Sequence, residues 1–238
     1  MLDIFKLPVY YISFYRKKQL EEYIKERGFK NVNYFQAVVG KKFNIDTLLE
    51  NSIISGLVYT ELLGERKHLH GVPSLGAIGC YMSHYNLWKI CVKKKYPYII
   101  IVEDDVCIPK ATNEDLKSIN NILKPNNSLF ISTMILNKNK KVTSFVLTHF
   151  YISSIGACKE LIKYAFPIEQ QLDGYMSYVA TRKKIRLNGF NFAYQNILRP
   201  STVQNNIVVK YLLPSDIWYY ISMFCLLIIV VIILYINK

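Results

Sequence analysis

Tyr98-Ile-Ile-Ile-Val-Glu-Asp-Asp-Val-Cys-Ile-Pro109 carries four β-branched apolar residues, Ile99, Ile100, Ile101 and Val102, straight into three carboxylates, Glu103, Asp104 and Asp105. A short unbroken apolar run is the pattern of a strand buried on both faces, as in a parallel sheet covered by helices. Three adjacent acids at its end repel one another and resist burial, which calls for a cation beside them. A divalent metal with oxygen ligands is the economical candidate, because open α/β sheets bind ligands at the carboxyl ends of their strands. A solvated acidic turn closing a core strand is the plainer alternative.

Upstream, residues 9–14 read as a first core strand, residues 19–27 as a helix stopped by Gly28, and residues 33–39 as a second strand ending at Gly40. This βαβ opening predicts a parallel pair. Arg16 follows the first strand, where a nucleotide phosphate or base could lie; a solvated surface arginine is the alternative. Residues 44–55 read as a helix and 56–76 as a long irregular segment containing His68 and His70, a pair more in keeping with a polar loop than with metal ligation.

Gly76-Ala-Ile-Gly-Cys-Tyr-Met-Ser-His-Tyr-Asn-Leu-Trp-Lys89 repeats apolar residues at helical spacing, predicting an amphipathic helix on the sheet. Gly76 and Gly79 permit close backbone approach at its start, where free N–H groups favour an anion. Ser83 and His84 interrupt the apolar pattern with polar groups. Further on, the pattern predicts a helix from Thr112 to about Leu123, strands at 128–134 and 142–153, a helix at 156–165, and a last strand at 184–190. Asp173 is expected to sit just before a helix at 174–182, as a cap, a catalytic carboxylate or both.

Residues 217–236 contain no charge and span roughly 30 Å as a helix, one hydrocarbon core, with Trp218, Tyr219, Tyr220 and Tyr235 near the ends. They read as a C-terminal transmembrane helix after a linker at 205–216, with residues 1–204 as the main domain on the cytosolic side. The 238 residues carry a formal net charge of +13 from dispersed lysines. That field suits anionic substrates and anionic lipid, whereas no arginine-rich block or basic-aromatic repeat supports nucleic acid as a partner. Five cysteines without paired spacing point to free thiols rather than a disulfide framework or a zinc motif.

Taken in order, Val9-Tyr-Tyr-Ile-Ser-Phe14 with Arg16, Phe35-Gln-Ala-Val-Val-Gly40, Gly79-Cys-Tyr-Met-Ser-His84 with Leu87 and Trp88, Ile101-Val-Glu-Asp-Asp-Val106 and Leu172-Asp-Gly174 resemble glycosyltransferase family 25 from residue 8 to about 204. The resemblance implies an α/β, GT-A-like nucleotide-sugar fold with a mostly parallel central sheet. It also implies a UDP-sugar donor, a hydroxyl acceptor on a glycan, lipid-linked glycan or protein, and inverting transfer assisted by Mn²⁺ or Mg²⁺. By position, Glu103, Asp104 and Asp105 look like the acidic motif, with Glu103 and Asp105 as metal ligands and Asp105 the direct one. Gly79, Ser83 and His84 look like donor-site scaffolding with Arg16, and Asp173 like the base or an acceptor contact. A nucleotidyl or phosphoryl transferase would use similar acids, but no glycine-lysine phosphate loop is present. A catalytically inactive, membrane-anchored binding protein is the alternative of a different class.

Overall fold

The structure is a computed structural model that describes residues 2–64, 71–123, 127–132, 144–183 and 185–196. The expected membrane helix 217–236, the linker 205–216 and the His68/His70 pair lie outside these residues. Among the described residues, no helix is long and apolar enough to cross a membrane.

The chain forms β1 (Pro8–Ser13), α1 (Lys18–Glu26), β2 (Asn31–Gln36), α2 (Ile45–Glu50), α3 (Gly56–Leu62), α4 (Leu75–Lys93), β3 (Tyr98–Glu103) and β4 (Val106–Cys107). There follow α5 (Asn113–Ile122), β5 (Ser128–Ile131), β6 (Phe150–Ser154), α6 (Ile155–Lys163), α7 (Leu172–Arg182), β7 (Arg186–Gly189) and β8 (Tyr194–Gln195). Six strands make one sheet in the order β2-β1-β3-β6-β5-β7. β1 lies parallel to both β2 and β3, and β5 parallel to β7, while β6 runs against its two neighbours. The fold is therefore mixed α/β with a mostly parallel central sheet.

β3 is buried on both faces, as its run of β-branched residues requires. Ile99 and Ile101 pack on one side with Ile78 and Leu87 of α4, Leu161 of α6 and Met176 of α7. Ile100 and Val102 pack on the other with Leu20 and Ile24 of α1 and Ile119 of α5. Each fully buried side chain of this kind stabilises the fold by about 1.5–3 kcal/mol, so the central strand is fixed from two layers at once.

Several expectations change, among them the strand expected at 142–153, which among the described residues is β6 from Phe150 on. The helix expected at 44–55 ends early: Asn44 caps α2, and Ser52 turns the chain with φ 55°. The segment expected to be irregular then holds α3, whose cap is Ser55, with Oγ accepting from Val58 N at 3.3 Å. Glycine at a first helical position is no breaker when a cap precedes it. Finally, α4 is not amphipathic. It is wedged between the sheet and other helices, so Ser83 and His84 are as buried as Leu87 and Trp88.

Candidate active site at the strand switch point

β1 leads out to β2 on one side of the sheet, and the chain later returns to β3 on the other side of β1. Neighbouring connections leave in opposite directions there, which opens a crevice beyond the carboxyl ends of β1 and β3. The register pairs Ile12 with Glu103, so the residues following both strands are brought side by side. Ser13 Oγ donates to Asp104 Oδ2 at 2.8 Å, and Lys17 Nζ pairs with the same oxygen. Asp104 is thus held by cationic and hydroxyl groups of the β1–α1 loop. Arg16 is not drawn in: its guanidinium pairs with Glu21 at 2.9 Å on the exposed side of that loop.

Glu103 takes a hydrogen bond from Thr148 Oγ1 at 2.5 Å and lies 3.5 Å from His84 Nε2. Burial pushes its carboxyl up, but His84, Thr148 and His149 outweigh that and hold it below the ordinary carboxylate range. Asp105 is served differently. The small antiparallel ribbon of β4 and β8 places Gln195 beside it, with Nε2 donating to Oδ2 at 2.6 Å, and Asn196 N donating to its carbonyl at 2.8 Å. Its other oxygen, Oδ1, is buried without a partner. Burial and the charges of Glu103 and Asp104 push the Asp105 carboxyl up to about 6. An anionic group with an orphaned oxygen, short of positive charge and next to a second carboxylate, fits a hard divalent cation.

Asp173 is not a helix cap. α7 begins one residue earlier, after Gln171, and Asp173 lies in its first turn, where a negative charge suits the helix dipole. Its Oδ2 accepts from Leu147 N at 3.0 Å and its Oδ1 from Gly174 N at 2.8 Å. One turn on, Ser177 Oγ accepts from Phe145 N at 3.1 Å. α7 therefore pins the segment that delivers Thr148 to Glu103. Leu147 sits there with φ 70°, a conformation unfavourable for a branched side chain and sustained by the Asp173 contact.

α4 supplies the floor. Gly79 and Gly40 meet backbone to backbone: a Cβ on Gly79 would stand 2.5 Å from the Val38 carbonyl oxygen and 2.6 Å from Gly40 N. Ser83 Oγ accepts from Val38 N at 2.9 Å and donates to the Gly79 carbonyl at 2.8 Å. Gly79 and Ser83 thus fasten the loop after β2 to α4. His84 is fully buried, its Nδ1 2.9 Å from the Tyr151 hydroxyl, which also accepts from Trp88 Nε1 at 2.9 Å.

Among the residues that the sequence reading did not single out is Cys80. It lies one turn before His84, and burial, then Glu103, Asp173 and Asp105, push its thiol well above the ordinary range. The C-x-x-x-H spacing was the signal that could have found Cys80, since residues four apart share a helix face.

Residues 7–187 match the family model described as glycosyltransferase family 25 (LPS biosynthesis protein). A "Glycosyltransferase 25 family member" of Drosophila melanogaster is 33% identical over 91 residues, which is 38% of this chain and 14% of that protein. The "Lipooligosaccharide biosynthesis protein lex-1" of Haemophilus influenzae is 32% identical over 110 residues, 37% of this chain and 36% of that protein. The matched stretches take in less than two-fifths of either relative. A solved glycosyltransferase involved in the glycosylation of the major capsid of PBCV-1 overlaps 77% of this chain, and 81% of its own, at 11% identity and a TM-score of 0.39.

Proposed function

We propose, since this chain belongs to glycosyltransferase family 25, that it transfers a hexose from a UDP-sugar to a hydroxyl acceptor on a glycan, lipid-linked glycan or protein, with inversion. A GT-A-like use of the sheet goes with this reading, with the donor in the crevice between β1 and β3. The observation that carries it is the Asp105 carboxylate: half-buried, with Oδ1 enclosed and unpartnered, and just past Glu103 and the end of β3. Asp105, with Glu103, would hold Mn²⁺ or Mg²⁺, which supplies positive charge against the leaving diphosphate.

The remaining groups divide the labour by charge and position. Lys17 and Ser13 fix Asp104 and keep the β1–α1 loop against the donor crevice. Gly79 and Ser83 hold the loop after β2, and His84 supports Glu103. Inversion requires one base on the face opposite the leaving group, and Asp173 is assigned to it: its carboxylate oxygens each retain acceptor capacity beyond the backbone bonds they take. Membrane attachment through 217–236 would keep the domain beside a lipid-borne acceptor. Full-length protein resisting carbonate extraction is the expected outcome, and release into the soluble fraction would remove the anchor from the proposal.

The experiment is Asp105→Asn, assayed with a panel of UDP-hexoses and Mn²⁺, following UDP release with and without acceptor. Loss of about 4 kcal/mol of transition-state stabilisation corresponds to roughly a thousandfold slower turnover. Equal turnover in both proteins, with the same Mn²⁺-dependent shift in melting, would sink the reading.

A further inference from the structure

Beside Asp105, Cys80 brings a ligand chemistry that the transfer reaction does not use, next to two residues that it does. Cys80 and His84 stand four residues apart on α4, and Glu103 reaches them from the end of β3. One ligand atom from each, the thiol sulfur, the imidazole nitrogen and a carboxylate oxygen, lies within 4.8 Å of the other two. From this geometry we infer that Cys80 Sγ, His84 Nε2 and Glu103 Oε1 form a binding site for a borderline-soft divalent cation of the zinc(II) type, distinct from the hard oxygen site at Asp105.

Two observations support it. His84 is fully buried, and its Nε2, 3.5 Å from Glu103 Oε1, makes no hydrogen bond. Its Nδ1 is already engaged by the Tyr151 hydroxyl, and Thr148 donates to Glu103. Metal-binding histidines and carboxylates are ordinarily oriented by such outer partners.

Ligand atoms about 2.0–2.3 Å from a tetrahedral zinc stand roughly 3.3–3.8 Å apart, so no pair need close by more than about 1.5 Å. On binding, the thiol proton passes to solvent and the thiolate takes its place on the metal, so affinity rises with pH. A nitrogen–sulfur–oxygen set prefers zinc to magnesium or manganese, and three protein ligands leave a fourth position open. Glu103 is the residue the two sites share. The inference does not depend on the transferase activity.

The test uses the untagged full-length chain and Co²⁺ as a spectroscopic stand-in for zinc. One equivalent of Co²⁺ should give a thiolate-to-metal charge-transfer band that Zn²⁺ abolishes. Cys80→Ser should lose the band; Asp105→Asn, outside the set, should keep it. Should Cys80→Ser fail to fold, alkylation of the wild-type chain serves instead, read peptide by peptide. Saturating Zn²⁺ should slow modification of Cys80 by about tenfold or more. No band in the wild type, an equal band in Cys80→Ser, or Cys80 alkylated at the same rate with and without Zn²⁺ would each overturn the site. Loss of turnover in Asp105→Asn with the band intact would separate the two proposals.

Discussion

Gly40 and Gly79 touch through their backbones, and the contact leaves no room for a methyl group on either. A Cβ on Gly40 would lie 1.7 Å from the Leu75 carbonyl oxygen, closer than the 2.5 Å that a Cβ on Gly79 would meet. Gly79→Ala should therefore destabilise the domain by about 1–3 kcal/mol through overpacking, and Gly40→Ala by more. For a domain of this size the former lowers Tm by roughly 3–10 °C. Calorimetry on both variants checks the order; Gly79→Ala melting like the wild type would show that α4 can shift away from the loop.

Tyr151 accepts from Trp88 at the centre of the core and sits against His84, so Tyr151→Phe leaves two buried polar groups without their partner. At about 1–3 kcal/mol for each, the expected loss is roughly 2–5 kcal/mol, far more than removing one oxygen from an apolar site would cost. Urea midpoints at constant m-value measure it. A loss below about 1 kcal/mol would mean that water replaces the hydroxyl.

Asp105 makes the metal-free protein pH-sensitive in a defined direction. Its carboxyl rises from 3.8 to about 6 on folding, so between those values the native state binds more protons than the unfolded chain. Stability from this group is then present below about pH 4 and is lost as pH rises through about 6, with a slope of up to about 1.4 kcal/mol per pH unit. In chelator, Asp105→Asn should remove that decline and be as stable as wild type or more so at pH 7. Denaturant midpoints at pH 4.5 and pH 7 give the comparison; an identical fall in both proteins would assign it to other groups.

Asp173→Asn separates support from chemistry. The amide oxygen can still accept from one of Leu147 N and Gly174 N, so the stability loss should be about 1 kcal/mol. A general base, by contrast, is worth about 10² to 10⁴ in rate. Turnover falling by that factor with Tm nearly kept is expected. A large fall in Tm with turnover in proportion to folded protein would leave Asp173 as the anchor of the 144–149 segment alone.

What could be read from the chain beforehand follows from where each signal resides. The doubly buried β3 was legible because β-branched residues with acids at one end are a local pattern, and the βαβ opening because apolar runs and the glycines at 28 and 40 mark its parts. The reversed direction of β6 was not, since a run such as Phe150-Tyr-Ile-Ser-Ser154 reads alike either way. Asp173 was placed before the helix rather than in its first turn, because helix starts are decided by backbone partners as much as by the preferred residue. Thr148, Lys17 and Gln195 carry no motif; they reach the acids only because the sheet brings together residues 45, 87 and 90 positions apart. Arg16 shows the converse: placed correctly after β1, it found Glu21 closer than the crevice.

The ribbon of β4 and β8 has a consequence for synthesis. Asp105 leaves the ribosome long before the residues that cover it, because Gln195 and Asn196 are made about ninety positions later. β1, β2 and β3 can assemble from the first half of the chain, and contacts of high sequence separation form last. The acidic corner of a nascent domain therefore stays open to ions and solvent until β8 emerges, and a chain halted before residue 194 would present a finished β1–β2–β3 core beneath an unclosed acidic corner.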